Sequence, residues 1–222
     1  MDVLAILKDK LSAAKRLYDG AVSSFVDTKQ RIEAGKEPYK PPPFDPDRDD
    51  GEPPFLSEWL EANEFENVVG QACISVAYSC LIDYFKGVIE RSGITHEADK
   101  FLNHRRNKVR GENTFQRYVA LFEDAYSVDF KQAPVAPSEI QDIVLLRHDT
   151  HHGRPGMGLN RYQLDEHVRQ FPNGLFLTDL ERTLLAGDAN PWVSLDVTPE
   201  KFQESVRRIE QFCEFVEKSV RQ

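Results

Sequence analysis

The chain has 222 residues, of which 40% are apolar, and a formal net charge of -9. That length and apolar content suffice for one sizeable core with an appended segment, and the acidic balance argues against a protein that coats nucleic acid by bulk electrostatics. No run is expected to approach the roughly 18 apolar residues of a membrane span, and the opening "MDVLAILKDKLSAAKR" alternates charge with leucine instead of building a secretory signal, so a cytoplasmic protein with no membrane partner is expected.

In chain order, Leu4, Leu7, Leu11, Ala14, Leu17, Tyr18, Val22, Phe25 and Val26 recur every three to four residues, which predicts a long amphipathic helix from Val3 to about Glu33. The stretch "EPYKPPPFDPDRDDGEPP" then crowds proline with aspartate and excludes helix or central strand. The expected organisation is an N-terminal helix over 1–36, a Pro/Asp-rich linker over 37–54 and a helical domain over 55–222. The first helix is expected to be detached, docking away from its neighbour in sequence or on another subunit.

After the linker a helix starts near Ser57 and runs to about Ile89, tolerating Gly70; "ISVAYSCLIDYF" is apolar nearly all round, as in a central helix covered on several sides. A helix is expected over about His96 to Lys108, and another from Thr114 to about Asp124, capped by Asn113 or Thr114. Ser138 with Gln141 reads as a capping box opening a helix that Gly153 and Pro155 stop. Gln163 to Phe171 fits a short helix. The β-favouring runs Leu175 to Thr178 and Trp192 to Val197, between turn signals, predict a small hairpin. Thr198, Pro199 and Glu200 then open a closing helix carrying Phe202, Val206, Ile209, Phe212, Cys213 and Val216. Cys73, Cys80 and Cys213 lack metal spacing and read as small buried apolar residues.

The informative stretch is "LLRHDTHHGRPG", Leu145 to Gly156. On its helix the inward stripe runs Ile140, Ile143, Val144 and then Arg147 and His151, so it turns ionisable without changing face. A guanidinium at a core-facing position is costly unless it is paired or opens onto a cavity or partner. His148 and His152 form an adjoining row, and His151 and His152 fall in the last turn, where the helix dipole favours their protonated forms. Imidazoles beside an arginine suit phosphodiester cleavage: one moves a proton while the arginine holds charge developing on phosphorus. Two other readings stand beside this one. Arg147 pairs with Asp142 or another acid while the histidines cap the helix; or His148, His151 and His152, with Asp149, bind a metal that the adjacent arginine repels.

"RHDTHH" resembles the signature of HEPN domains, an Arg followed after four to six residues by His, with a polar residue directly after the Arg. The resemblance covers roughly Phe55 to Val220 and extends to an apolar helix before the motif and a closing helix after it. It implies a mainly α, HEPN-like helical bundle with a small β-hairpin, and a metal-independent endoribonuclease without cofactor. Such an enzyme works as a homodimer with a composite cleft, in a toxin–antitoxin or antiviral defence system with an antitoxin or defence-complex partner. Arg147, His148 and His152 carry over as site residues, with His152 activating the ribose 2′-hydroxyl or protonating the leaving oxygen. Arg147 and His152 diverge by roughly 140° on an ideal helix, so His151 is the more convergent histidine. Some relatives in that family carry a tyrosine shortly after the histidine, whereas the first one here is Tyr162. Arg105, Arg106, Lys108 and Arg110, beside His104, are candidate RNA-backbone contacts, as are Arg154 and Arg161. The alternative is a non-catalytic HEPN module serving as an interaction or sensing subunit.

Overall fold

The computed structural model describes residues 2–43, 51–152, 171, 174–177, 183 and 196–221, with the backbone alone for 148–152. Among them the chain is mainly α: α1 (Val3–Glu33), α2 (Leu56–Ser92), α3 (Thr95–Lys108), α4 (Thr114–Tyr126), a 3₁₀ turn at Phe130–Gln132, α5 (Pro137–His152) and α6 (Pro199–Val220). No strand occurs among the described residues. Leu175 and Phe176 lie in a turn, and Leu177, Asp196 and Val197 carry no ladder; residues 178 and 192–195 of the two β-favouring runs, and 163–170 of the expected helix, lie outside the described residues.

The first helix is not detached. Asp2 caps it by accepting from the Ala5 N–H, and Val3, Leu7, Leu11, Ala14, Tyr18 and Val22 bury one stripe. That stripe lies in the same core cluster as the buried residues of α2 and α6. Lys10 reaches Asp83 and Lys29 reaches buried Glu66, while the Trp59 indole donates to Glu33, so α1 and α2 form an antiparallel hairpin. The linker therefore returns the chain alongside α1. Leu17, counted in the sequence stripe, is exposed, because the buried row steps by four or three residues through 7, 11, 14 and 18 and passes it by. Where α2 crosses its neighbours, glycine permits the approach: a Cβ on Gly87 would stand 2.6 Å from a Val3 methyl, and one on Gly70 2.6 Å from Val197 Cβ.

Helix α2 is the centre of the molecule. Its most apolar stretch is long and apolar enough to cross a membrane, which the sequence reading did not anticipate, and half of that stretch is buried within this fold. Phe85, with no exposed surface, meets Phe115, Tyr118, Phe122 and Phe212 at ring-centroid distances of 5.2–6.4 Å. Such clusters dominate core energetics because each ring buries a large apolar area. Helix α6 begins as its sequence dictates, with Thr198 accepting from Lys201 N–H and Pro199 in the first turn. It runs antiparallel to α1, where Tyr18 stacks on Phe202 at 4.5 Å and Lys8 pairs with Glu214. Cys73, Cys80 and Cys213 are buried thiols whose pKa burial pushes up, as expected for apolar packing residues.

Candidate functional site

Helix α5 carries the arginine–histidine motif. Its start differs from the expected Ser138–Gln141 box. The helix already begins at Pro137, so Ser138 lies inside it, and Glu139 reaches back to accept from the Ala136 N–H. Proline at the first helical position displaces the cap one residue upstream of itself, because its ring presets the helical φ and needs no donor. Ile140, Ile143, Val144 and Leu146 are buried. Asp142, also buried, accepts from the Leu175 N–H at 2.6 Å and so fastens the turn at 174–177 to the side of α5.

Arg147 continues the buried row, as the periodicity requires, and is half-buried. Its guanidinium carbon lies 4.9 Å from the centroid of the Tyr78 ring on α2. The aromatic face offers negative charge density to the cation, an interaction of about 0.5–2 kcal/mol depending on solvent access. Helix α5 is described as far as His152, so His148, His151 and His152 stand on its last described turns. Arg147 and His151 share a face by helical spacing. The imidazoles of His148, His151 and His152, and all of Arg154 and Arg161, lie outside the described residues.

The floor beneath Arg147 extends to α4. Tyr78 is a buried phenol whose pKa is raised, first by burial; Arg147, the hydrogen-bonding Thr114 side chain and Arg117 each oppose that rise. Arg117 donates through Nη2 to Thr114 Oγ1 at 3.0 Å and through Nε to the Asn113 carbonyl at 3.2 Å. A capping box places these residues, with Asn113 accepting from the Gln116 N–H and the Gln116 side chain accepting in return. Tyr78, Thr114 and Arg117 were not anticipated. Tyr78 hides in an apolar stretch, but a cation at the start of a helix, against the dipole, is a readable signal.

The basic cluster on α3 is divided. Arg105 makes a two-pronged ion pair with Glu112, whose hydrogen bond raises the guanidinium pKa, whereas His104, Arg106, Lys108 and Arg110 are exposed. Arg105 and Arg110 line a groove of about 760 Å³ between the α3–α4 turn, α4 and the start of α5; Glu112, Glu123, Gln141 and Phe171 also line it. The groove thus mixes both signs of charge. Among the described residues no group of three or more His, Cys, Asp or Glu side chains is placed to hold a metal. No family model, curated protein or solved structure matches the chain.

Proposed function

We propose that the chain is a HEPN-type endoribonuclease that cleaves RNA without a metal, in the cytoplasm, as part of a toxin–antitoxin or antiviral defence system. The observation that carries this reading is Arg147, half-buried against the Tyr78 ring two turns or less from a helix end bearing His151 and His152. The ring fixes a cation at the end of a buried row, on the helix whose last described turns carry the histidines.

In the proposed reaction a histidine, His151 or His152, takes the proton of a ribose 2′-hydroxyl. The oxygen attacks the adjacent phosphorus, the bond to the 5′-oxygen breaks, and that oxygen leaves with a proton supplied by the second imidazole or by water. Arg147 holds the charge on the non-bridging oxygens, and His148 positions its neighbours. The products are a 2′,3′-cyclic phosphate and a free 5′-hydroxyl. DNA lacks the attacking group and is not cut. Two copies facing one another across the α5 ends form the composite cleft, which explains a guanidinium at a core-facing position. Arg106, Lys108, Arg110 and Arg154 are the proposed backbone contacts beyond it, with Arg105 confined by Glu112 to a supporting place.

One observation favours the alternative, a non-catalytic HEPN interaction subunit: Leu60, Phe65, Val68 and Val76 of α2 are exposed apolar side chains. A mixed panel of labelled RNAs, incubated in EDTA with the protein and with Arg147→Ala, His151→Ala and His152→Ala, separates the two. Cutting that survives EDTA and disappears with Arg147 and one histidine is the expected result; an inert wild-type protein leaves the interaction subunit.

A further inference from the structure

Among the described residues, three arginines with partly buried side chains are held by carboxylates. Arg105 has Glu112, and Arg208 has Glu204 and Glu139. Arg91, whose side chain is 27% exposed, has Glu217. Arg117 is also half-buried, yet its partners are a neutral hydroxyl and a backbone carbonyl. The carbonyl is already occupied, because Asn113 O accepts the helical bond from the Arg117 N–H. Neither contact needs a guanidinium. Its position adds cost: Arg117 is the fourth residue of α4, near the positive end of the helix dipole, and no acidic residue lies in that first turn. A cation without a carboxylate among the described residues, against the dipole and partly desolvated, is a local conflict of the kind found at ligand sites.

The direction in which it faces is set by its contacts. Arg117 donates to Thr114, and the Thr114 side chain and both guanidiniums lower the pKa of the Tyr78 phenol, whose ring lies beneath Arg147. The two arginines flank one aromatic floor. Among the described residues, no hydrogen bond of Arg117 uses Nη1.

We infer that Arg117 is a second RNA-phosphate contact, binding the phosphodiester next to the one held by Arg147, with Tyr78 and Thr114 fixing the spacing of the two guanidiniums. This rests on the reading of Arg147 as a phosphate-binding residue. A fixed pair of forks accepts two successive phosphates of one strand, so the site grips RNA on one side of the cut and sets the register of the scissile bond. Arg117 is a binding residue in this account, and the proton transfers remain with the histidines.

The test uses the full chain with two probes: a fluorescent single-stranded RNA made uncleavable by 2′-O-methylation, read by anisotropy across a salt series, and the same RNA unmodified, read by cleavage. Arg117→Gln is compared with Arg16→Gln, an equal charge change on the exposed face of α1, after circular dichroism verifies the fold. Arg117→Gln is expected to weaken binding about tenfold and to lower the log–log salt slope by roughly 0.7, the single-strand value per phosphate contact, with Arg16→Gln unchanged. Should the glutamine variant fail to fold, Arg117→Lys carries the test: it keeps the charge and loses the fork, and cleavage is expected to fall about tenfold. Wild-type cutting with either Arg117 variant indistinguishable from wild type overturns the inference and leaves the nuclease standing. Arg117-dependent binding by a protein that cuts nothing supports the inference and removes the nuclease. A wild-type protein that neither binds nor cuts overturns both.

Discussion

Tyr84 and Tyr78 lie six residues apart on α2, both buried, and their surroundings solve opposite problems. The Tyr84 hydroxyl donates to the Cys213 carbonyl and to Glu217 at 3.0 Å each, and Glu217 receives Arg91 and Arg221 as well. Burial pushes that phenol up, and the thiol and carboxylate beside it push it further. Around Tyr78 the neighbouring charges are Arg147 and Arg117, which pull against burial. At the α2–α6 junction each charge meets its opposite inside the fold, so the network serves cohesion. Beside α4 and α5 two cations act on one phenol, and in the proposed function that pair serves an RNA phosphate.

That contrast predicts unequal costs. The largest belongs to Glu217→Ala, which leaves Arg91 and the Tyr84 hydroxyl without their partner and is expected to remove about 3–5 kcal/mol in urea unfolding. Arg147→Ala loses a ring contact worth about 0.5–2 kcal/mol and is expected to cost less than Glu217→Ala. Equal losses from the two would erase the distinction. Next, Tyr84→Phe deprives a buried carboxylate and a carbonyl of their donor and is expected to cost about 1–3 kcal/mol, whereas Tyr78→Phe, whose ring remains beneath Arg147, stays below about 1 kcal/mol.

A smaller effect sharpens the same difference by pH. Burial alone pushes the Glu217 carboxyl up, but hydrogen bonds from Arg91, Arg221 and Tyr84 together outweigh it and leave the pKa below its usual value of 4.5. A carboxyl with a folded pKa below its unfolded one contributes stability that is present above the unfolded value and lost as pH falls through the folded one. Denaturation midpoints should therefore drop on acidification below about pH 4.5, and Glu217→Gln should show a shallower decline than the wild type. Glu204, held at about 2 chiefly by Arg207, acts in the same sense, with its contribution reduced by solvent screening around the exposed Arg207. An unchanged acid slope in Glu217→Gln would place the pH-sensitive charge elsewhere.

Much of the helical framework is legible in the sequence because its signals are local. The Thr198-Pro199-Glu200 start of α6, the Asn113 cap of α4 and the boundaries of α1 follow from capping chemistry and periodicity within a few residues. What the sequence conceals is which faces meet. The proline-rich linker suggested separation, yet apolar side chains from Val3 to Val22 fit the groove offered by Gly87 and its neighbours, and burial outweighs the stiffness of the connector. The site divides in the same way. Arg147 and the histidines stand out by type and spacing along one helix, whereas the Tyr78 floor and Arg117 belong to α2 and α4 and join Arg147 only once three helices pack together. Tyr78 has no spacing that sets it apart from the core residues around it, and its role depends on a neighbour 69 positions away.

The most direct measurement is cleavage, in EDTA, of one labelled RNA in two versions that differ at the cut position, ribose in one and 2′-deoxyribose in the other, with end-group analysis of the product. The account predicts cutting of the first to a 2′,3′-cyclic phosphate, no cutting of the second, and loss of both cyclic product and activity in Arg147→Ala. Equal cleavage of the deoxy-substituted strand, or a product ending in a 3′-hydroxyl, would contradict attack by the 2′-hydroxyl and with it the role assigned to Arg147 and the histidines.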